Sequence, residues 1–497
     1  MKVLWGNRPR ATTAPTRSIA DWTPQMRLDG MRAAFKAFRH AYPAYDTTRK
    51  LDDLRTADYA RLDRLGHVYL DYTGGGVYAQ SQVARHMALL NNGVFGNPHS
   101  HNLTSMAMTR LVEQARNYVL TYFHASPEEY MVIFTPNATG ALRLIGESYP
   151  FRPGDTYLLT FDNHNSVNGI REYARCRQAT VTYVPIVLPE MRVDTVTLAA
   201  EMDKARPGGN NLFAYPAQSN FSGVQHPLEW IAQAQAKGWD VLLDAAAYVP
   251  TNRLDLRQWH PDFVSISFYK IFGYPTGIGC LIARKPALRK LKRPWYAGGT
   301  ITFSSVVAFD HYLTPGPASF EDGTVNYLGI PAIESGLKLI ESIGIDMIHT
   351  RVTCLAAWLI AQMVGLRHSN GAPLVQLYGP PNTHMRGGTI QVNFFDPDGR
   401  LIDCTMVERL ANEVRISLRA GCHCNPGARE VALGFTADDL LVCFKDKDSQ
   451  TYEQFLQVID GKTTGALRAS LGLVTTFADV YTYVQFAKTL IDRHALS

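Results

Sequence analysis

The sequence predicts an α/β fold in which helices cover both faces of a mostly parallel sheet. Six apolar runs of strand length follow one another between residues 130 and 267, and helix-compatible stretches of ten or more residues separate several of them. Such alternation favours parallel strands joined by crossover helices. Ligands of these sheets bind beyond the carboxyl ends of the strands, where the motifs described below lie. The six runs are Tyr130–Thr135, Tyr157–Asp162, Ala179–Ile186, Leu212–Tyr215, Asp240–Asp244 and Phe263–Ser267.

Composition places the 497-residue chain among ordinary globular proteins. It is 46% apolar and 19% charged, and its net charge of +5 is scattered rather than collected into a basic face. We therefore expect no nucleic-acid partner. No window approaches 18 uncharged apolar residues, so we expect no membrane partner either. Seven irregularly spaced cysteines do not suit a disulfide framework, and we predict a reducing, cytoplasmic location.

The first 65 residues differ from the central part of the chain. Residues 1–25 are predicted to be a flexible arm, although their basic residues and lack of acids weakly resemble a transit peptide. Residues 26–65 are predicted to form a helical segment packed on a small domain, because Met31, Phe35, Phe38 and Tyr42 form one apolar stripe that ends before Pro43.

Two domains are predicted to follow this helical segment. The large domain spans 66–330 and begins with a short strand at His67–Tyr72 and a turn at Thr73–Gly76. A helical stripe at 111–122 precedes its first sheet strand. The small α+β domain spans 331–497, and one long helical stretch is predicted from about Ile330 to Val364.

Lys270 is a candidate for covalent catalysis. It follows the strand Phe263–Ser267 and precedes a turn rich in glycine and proline, Gly273-Tyr-Pro-Thr-Gly277. A desolvated lysine amine loses its proton readily and can then attack the aldehyde of a cofactor. A surface lysine in a loop is an equally good interpretation of this segment alone.

Asp244 ends the strand that precedes Lys270 by 26 residues. A carboxylate at a buried strand end needs a partner. The protonated ring nitrogen of pyridoxal phosphate (PLP) is one such partner, and the ion pair makes the ring an electron sink. A structural ion pair or a helix cap would explain Asp244 equally well, but an acid and then a lysine at successive strand ends favour the cofactor.

A possible phosphate cradle follows the strand Tyr130–Thr135. The segment Pro136-Asn-Ala-Thr-Gly140 joins this strand to a helix, and Ala138 and Thr139 stand where free backbone N–H groups can bind phosphate. An ordinary capped turn between a strand and a helix is the alternative, and only the other motifs favour the cradle.

Five segments resemble motifs of the amino-terminal, PLP-binding domain of molybdenum cofactor sulfurases, in that family's order. These domains belong with the cysteine desulfurases to the class V aminotransferase group. The resemblance runs from about Tyr42 to the end of the chain. The segments are Asn97-Pro-His-Ser100, Phe213-Ala-Tyr-Pro-Ala-Gln-Ser-Asn-Phe-Ser-Gly223, Ser267-Phe-Tyr-Lys-Ile-Phe-Gly273, Phe320-Glu-Asp-Gly-Thr324 and Gly421-Cys-His-Cys-Asn-Pro-Gly427.

This resemblance implies PLP fold type I, the aspartate aminotransferase-like fold. Its large domain is doubly wound around a mostly parallel seven-stranded sheet, and a smaller α+β carboxyl-terminal domain follows. The cofactor would be PLP, bound covalently by Lys270 and facing Asp244.

The resemblance also implies roles for individual positions around the cofactor. His164 would stack on the PLP ring, and Asn220 would lie beside the cofactor's phenolic oxygen and the substrate. Ser267 would join the phosphate cradle. Thr300 would reach the phosphate of a neighbouring subunit, which implies a homodimer with shared active sites.

Two arginines and a cysteine would act on the substrate. The guanidinium of Arg468 would clamp the substrate carboxylate, with Arg419 as helper. Cys424 matches the position of the cysteine that attacks the substrate sulfur in desulfurases, and Cys422 is the second choice. We expect Arg419 and His423 to supply positive charge that favours the Cys424 thiolate. A zinc site and a pair of structural thiols are the alternatives, although a single Cys-x-Cys offers no second ligand pair.

Four features depart from the family pattern. The chain ends at Ser497 without the family's carboxyl-terminal domain, so delivery of sulfur to the molybdenum cofactor is not expected. Arg429 replaces a frequent third cysteine, and Ala247 replaces a glutamine near the cofactor oxygen. Asp71-Tyr-Thr-Gly-Gly75 differs from the usual Asp-His-Ala-Gly and could reshape the substrate pocket. Tyr269 agrees with the cofactor sulfurases, whereas desulfurases usually have histidine there.

Three functions are consistent with these residues. The first is a PLP-dependent cysteine desulfurase that converts L-cysteine to alanine, leaves a persulfide on Cys424 and passes the sulfur to an acceptor protein. The second is another PLP reaction on an amino acid: C–S lysis, β-elimination, decarboxylation, epimerisation or carbon–carbon bond formation. The third is a scaffold without activity, which the lysine, aspartate and arginine at matching positions disfavour.

Overall fold

The structure is a computed structural model that describes residues 24–443 and 465–495. The predicted arm at 1–25, with its transit-peptide alternative, therefore lies outside the described residues except for its last two positions. The strands are β1 (Val68–Tyr69), β2 (Tyr130–Thr135), β3 (Thr156–Thr160), β4 (Thr180–Val184), β5 (Ile186–Val187), β6 (Arg192–Val193), β7 (Asn211–Pro216), β8 (Trp239–Asp244), β9 (Phe263–Ser267), β10 (Gly279–Arg284), β11 (Ile301–Ser305), β12 (Asp310–Leu313), β13 (Val375–Tyr378), β14 (Thr389–Phe395), β15 (Leu401–Ile402), β16 (Ile416–Ser417), β17 (Arg419–Gly421) and β18 (Ala466–Ser470).

Helices pack around these strands. They are α1 (Pro24–Ala41), α2 (Lys50–Asp58), α3 (Arg61–Arg64), α4 (Gln80–Asn91), α5 (Leu103–Tyr122), α6 (Ala138–Ser148), α7 (Asn165–Asn168), α8 (Ile170–Cys176), α9 (Thr195–Met202), α10 (Trp230–Ala236), α11 (Phe268–Phe272), α12 (Lys285–Leu288), α13 (Pro331–Ile343), α14 (Ile345–Val364), α15 (Cys404–Glu413), α16 (Pro426–Leu433), α17 (Ala437–Cys443) and Phe477–Lys488, with 3₁₀ helices at Pro43–Thr48 and Pro317–Phe320.

A seven-stranded sheet in the order β2-β10-β9-β8-β7-β3-β4 forms the core, and each of the six runs taken from the sequence supplies one of its strands. Strands β4, β3, β7, β8 and β9 are parallel to one another, whereas β10 is antiparallel to both β9 and β2. The predicted α/β fold with a mostly parallel seven-stranded sheet is confirmed. β10 was not predicted from the sequence, and it follows β9 after one short helix instead of a long crossover.

A second sheet forms in the later part of the chain. Its order is β13-β14-β18-β17, with β15 paired to β14. The predicted strand at His67–Tyr72 shrinks to Val68–Tyr69, and it pairs with β16 rather than with the large sheet. That extent was wrong, because the backbone turns at Asp71, which makes an isolated bridge to Ser470.

The predicted long helix from Ile330 to Val364 was also wrong, since two helices occupy this range. Gly344 separates α13 from α14 with a φ of +95°, a conformation that favours glycine. Among the described helices, α14 alone is long and apolar enough to cross a membrane by length and composition, and half of its most apolar window is buried within the protein. The buried guanidinium of Arg351 on this helix binds Asp52 and Thr48, as a core helix allows.

The first helix packs against the last one. Phe38 of α1 is 1% exposed, and its ring centroid lies 4.8 Å from that of Phe477 and 6.3 Å from that of Trp358. The first and the last described helices therefore share one aromatic cluster with α14. The predicted boundaries at 65 and 330 remain predictions.

Gly273 follows the last residue of α11 and stands three positions after Lys270, and its backbone conformation can be tested. Its φ is +81°, and a Cβ there would lie 2.4 Å from the backbone N of Tyr78. Gly238 has a φ of +90° with no atom within 4 Å of such a Cβ. We expect Gly238→Ala to cost about 1–2 kcal/mol of stability through the backbone alone. Gly273→Ala should lower the stability by more than this, because its Cβ would also clash with the backbone of Tyr78.

Thermal and urea unfolding of the two variants measure this difference. Equal losses in both variants would contradict the close approach of Gly273 to the Val77–Tyr78 backbone.

Candidate active site

The candidate active site lies at the carboxyl ends of β8 and β9. These strands are parallel neighbours in which Asp244 pairs with Ser265, and α11 follows β9 immediately and carries Lys270. The sheet therefore brings the predicted acid and the predicted lysine to one edge. A cavity opens there, and it is lined by Asn137, Ala138, Thr139, Leu142, His164, Ser166, Pro216, Gln218, Asn220, Asp244, Ala246, Ala247, Ser267, Tyr269 and Lys270.

Lys270 is held as a reactive amine. Burial lowers its pKa, and the carboxylate of Asp244 opposes this shift only in part, while Arg468 and Arg419 lower the pKa further. No hydrogen-bond acceptor for its Nζ is found in 24–443 or 465–495. A poorly solvated amine without an acceptor favours the neutral, nucleophilic form.

Asp244 faces the cavity with one carboxylate oxygen available. Its Oδ1 accepts from the hydroxyl of Ser265 at 2.9 Å and from the N–H of Ala246 at 3.1 Å. Its Oδ2 has no hydrogen-bond partner among the described residues. Asp244 is 9% exposed, so its charge calls for a cation within the cavity.

The predicted phosphate cradle stands at the start of α6. Asn137 caps the helix by accepting from the N–H of Gly140 at 3.0 Å, and Ala138 donates its N–H to the Ser267 hydroxyl at 2.9 Å. Thr139 is exposed, and its hydroxyl lies 2.8 Å from that of Ser166. Hydroxyl groups and the N-terminus of a helix together suit an anion.

His164 lines the same cavity. It precedes α7 and caps it, because its Nδ1 accepts from the N–H of Ser166 at 3.1 Å. Burial lowers its pKa, and the negative charge of Asp244 opposes that shift. The ring is therefore neutral at neutral pH, which suits stacking on a flat cofactor.

Gln218 was missed in the sequence, although it stands two positions before Asn220. Its Nε2 donates to the carbonyl of Ala247 at 3.0 Å, so an amide side chain lies beside the position where Ala247 replaces glutamine. Gln218 and Asn220 both line the cavity. Gln218 is therefore a candidate for the contact with the cofactor oxygen that a glutamine at the position of Ala247 would make.

Both predicted substrate arginines bind Asp71. Arg468 donates from Nη2 to Asp71 at 3.1 Å and from Nη1 to the carbonyl of Asn220 at 3.0 Å. Arg419 donates to Asp71 from Nε at 3.0 Å and from Nη2 at 2.6 Å. The sequence indicates Asp71 only as part of a divergent motif. Nothing close to Asp71 in the chain signals that Arg419 and Arg468 bind it, because they follow it by 348 and 397 positions.

Cys424 lies near these charged groups. A negative charge on Cys424 would raise the pKa of Lys270 and of Arg468, each of which burial lowers. It sits in a tight turn closed by the N–H of Asn425, which donates to the carbonyl of Cys422 at 3.0 Å. His423 and Cys424 both have a φ of +55°, which is uncommon for residues other than glycine and is found at functional sites.

Hydrogen bonds fix this turn to the large sheet. The carbonyl of His423 accepts from the side chain of Asn220 at 2.7 Å, and the carbonyl of Cys424 accepts from the N–H of Asn165 at 2.7 Å. A Cβ on Gly427 would lie 2.1 Å from the carbonyl oxygen of Phe161, so glycine permits the close approach. The turn that carries the exposed thiol of Cys424 is thereby held against Asn165 and against Asn220, which lines the cavity.

His423 does not supply the positive charge expected of it. Burial lowers its pKa well below the usual value, and Arg468 and Arg419 lower it further, so the ring is neutral. That expectation was wrong, because the imidazole points into protein rather than solvent, and neither ring nitrogen has a hydrogen-bond partner in the described chain. Within the same residues, no cluster of three or more metal-ligating side chains includes Cys422 or Cys424.

Thr300 lies outside the cavity around Lys270. Its side chain is buried, its hydroxyl donates to the carbonyl of Ala297 at 2.8 Å, and the N–H of Ala297 donates back to it at 2.9 Å. Its contact with a neighbouring subunit's phosphate therefore stays a prediction.

Comparison with known proteins identifies the family. The model of the aminotransferase class-V family matches residues 68–482. This chain belongs to the aminotransferase class-V family. Its members are PLP enzymes, so this chain is a PLP-dependent enzyme, and the cofactor predicted from the sequence is confirmed.

Individual relatives of this class-V chain are informative. Molybdenum cofactor sulfurase of Arabidopsis thaliana is 36% identical over 92% of this chain, and the chain spans about 60% of that relative's length. Among solved structures, the cysteine desulfurase of Thermococcus onnurineus NA1 has a TM-score of 0.72 at 23% identity, covering 88% of this chain and 98% of its own. The cystine C–S lyase C-DES, in complex with cysteine persulfide, has a TM-score of 0.64 at 17% identity, covering 85% of this chain and 97% of its own. At these identities the two structures establish the fold.

The residues of the class-V site fit PLP. Lys270 offers an amine without an acceptor, Asp244 an available carboxylate oxygen, and α6 with Ser267 an anion cradle. His164 offers a neutral ring beside them. These four features match the aldehyde, the ring nitrogen, the phosphate and the ring face of the cofactor.

The lowered pKa of Lys270 predicts how PLP uptake by the apoprotein depends on pH. The free amine is the reacting form, so uptake should rise through a midpoint below 10.5, the ordinary pKa of lysine. In Asp244→Asn the midpoint should fall further, because the lost negative charge had stabilised the ammonium form. Absorbance of bound PLP after mixing at a series of pH values measures both midpoints.

Nα-acetyl-lysine serves as the control, because it titrates PLP in the same way without the protein. A protein midpoint at or above that of the control would show that Lys270 is solvated, contrary to the structure.

Proposed function

We propose that this enzyme is a cysteine desulfurase that takes sulfur from L-cysteine as a persulfide on Cys424 and releases alanine. The observation that carries the proposal is the position of Cys424, an exposed free thiol on a turn that hydrogen bonds from Asn165 and Asn220 fix next to the cavity of Lys270. The similarity to molybdenum cofactor sulfurases and the desulfurase fold support a sulfur-transfer reaction.

The enzyme's own residues suit each requirement of this reaction. Arg468 and Asn220 bind and orient the amino acid at its carboxylate end. Bound PLP supplies an electron-withdrawing ring that stabilises negative charge on the substrate. The neutral amine of Lys270, once free of the cofactor, can accept the proton from the substrate's α-carbon and return it later.

The sulfur step balances without an added oxidant. The Cys424 thiolate attacks the sulfur of the substrate, so an S–S bond forms while the C–S bond breaks. The electron pair of the broken bond remains on the carbon, which takes up a proton to complete alanine. An acceptor protein in a reducing, cytoplasmic location would then receive the persulfide sulfur.

Cys424→Ala tests the nucleophile. We expect alanine formation from L-cysteine to fall by about two orders of magnitude or more, since the attacking group is removed. The visible absorbance of bound PLP should remain. Cys422→Ala is the matched control, and it should retain most of the activity because Cys422 closes the turn through its backbone carbonyl, which the substitution keeps. Undiminished alanine and sulfide from Cys424→Ala would contradict the persulfide assignment.

A C–S lyase is the second candidate, because C-DES shares the fold and acts on a related C–S bond. In that case the substrate carbon skeleton would leave as pyruvate with ammonia, and Cys424 would be a structural thiol. Assaying alanine, pyruvate and ammonia in the same reaction separates the two functions.

We also propose that the enzyme works as a homodimer. The hairpin β11–β12 directly follows Thr300 and carries exposed apolar side chains, with Val306, Val307 and Phe309 each about nine-tenths exposed. Apolar groups so exposed mark an interaction surface. A second copy of the chain would cover the hairpin and bring Thr300 toward its phosphate cradle.

Val307→Lys tests the dimer. We expect sedimentation to show a monomer and PLP to bind more weakly, because a charge would be buried in the interface and Thr300 would lose its place. Val196→Lys, at an apolar residue of 79% exposure on α9, is the control and should change neither property. A dimer of unchanged stability in Val307→Lys would exclude this hairpin from the interface.

A further inference from the structure

The carboxylate of Asp71 joins the two arginines of the substrate site. Its Oδ2 accepts from Nη2 of Arg419 at 2.6 Å and from Nε of Arg419 at 3.0 Å. Its Oδ1 accepts from Nε of Arg419 and from Nη2 of Arg468, each at 3.1 Å. The side chain of Arg468 is 3% exposed, whereas that of Arg419 is 50% exposed. Asp71 therefore connects a buried guanidinium to one that reaches solvent.

The protein does not saturate Arg468. Its Nη groups bind Asp71 and the carbonyl of Asn220, while its buried Nε–H has no acceptor among the described residues. A buried donor without an acceptor is costly and marks a group that awaits a ligand. Arg468 can therefore still bind the carboxylate of a ligand, while its hydrogen bond to Asp71 fixes the plane of its guanidinium.

Arg419, unlike Arg468, already has its guanidinium paired with a carboxylate. Its Nε and Nη2 both donate to the same carboxylate, which is the fork geometry that guanidinium prefers. Its charge is therefore balanced by Asp71 before any substrate arrives. The two arginines and the one carboxylate leave a single positive charge for the ligand.

The glycine loop after Asp71 is shaped around this arrangement. A Cβ on Gly74 would lie 2.5 Å from both Asp71 Oδ2 and Arg419 Nη2. Gly76 donates its N–H to the carbonyl of Tyr269 at 2.9 Å, so the loop lies against the residue that precedes Lys270. The divergent motif that begins at Asp71 therefore joins the arginines to the lysine site.

We propose that Asp71 determines which amino acids the site accepts, by holding Arg468 for the α-carboxylate and neutralising Arg419 so that a second acidic group is rejected. This inference rests on the proposed amino-acid site and specifies its substrate class. Amino acids with an uncharged side chain, such as cysteine, match the single positive charge. A dicarboxylic amino acid would bring its second carboxylate toward Asp71 without a free arginine to meet it.

The test compares binding of L-alanine and L-aspartate to the PLP-loaded enzyme, followed by the absorbance of the bound cofactor. We expect the wild type to bind alanine more tightly than aspartate. In Asp71→Asn the ratio of the two dissociation constants should shift toward aspartate by tenfold or more, because Arg419 becomes free to bind a second carboxylate. An unchanged ratio would overturn the proposal.

Arg419→Gln provides the opposite test at an exposed position that tolerates substitution. In this variant Asp71 is paired with Arg468 alone, and the site has one positive charge fewer. The ratio of the two dissociation constants should therefore move further in favour of alanine. A shift toward aspartate would overturn the proposal. Asp346→Asn is the control, since it breaks an exposed ion pair with Arg253 outside the residues of the cavity and should leave the ratio unchanged.

These measurements do not depend on sulfur chemistry. If the ratio shifts as expected but L-cysteine gives no alanine, the proposed function fails and the role of Asp71 stands for another PLP reaction. If alanine and persulfide form but the ratio is the same in all variants, the role of Asp71 fails alone.

Discussion

A carboxylate that is nearly buried at the end of a parallel strand requires a cation close by, and Asp244 imposes that requirement on this site. Ser265 and Ala246 satisfy one of its oxygens, which leaves the other available for a cation such as the ring nitrogen predicted to face it. The same charge moderates the loss of proton affinity that burial causes at Lys270. The parallel pairing of β8 and β9 keeps the two groups at one sheet edge, so the sheet topology and the electrostatics depend on each other.

The substrate side of the site comes from a different part of the chain. Arg468 lies in β18 of the second sheet, and Cys424 lies on a turn that Asn220 and Asn165 fix to the large sheet. These two contacts mean that the residues predicted to bind the cofactor and those proposed to act on the substrate come together only when the two parts of the chain pack against each other. Damage to that packing is therefore expected to reduce activity even where PLP is still bound.

Much of the fold was readable because local patterns report burial. The six parallel or edge strands of the large sheet are short apolar runs, and the stripe of Phe35 and Phe38 correctly indicated α1. β10 was missed because it lies so close to β9 in the chain that it resembles part of the glycine-rich turn. The helix break at Gly344 was missed because apolar periodicity continues through it, whereas the backbone angle that interrupts the helix leaves no trace in hydrophobicity.

By itself, the sequence determined the acid and the lysine at successive strand ends, the helix start that suits a phosphate and the family to which these features belong, since each is a local signal or an ordered set of motifs. Tertiary structure decided which charges meet. Asp71 binds Arg419 and Arg468 from 348 and 397 positions away, Gln218 stands where Ala247 leaves space, and His423 is buried and neutral. These outcomes depend on how distant segments pack, and on the desolvation that packing causes, which no local pattern of residues records.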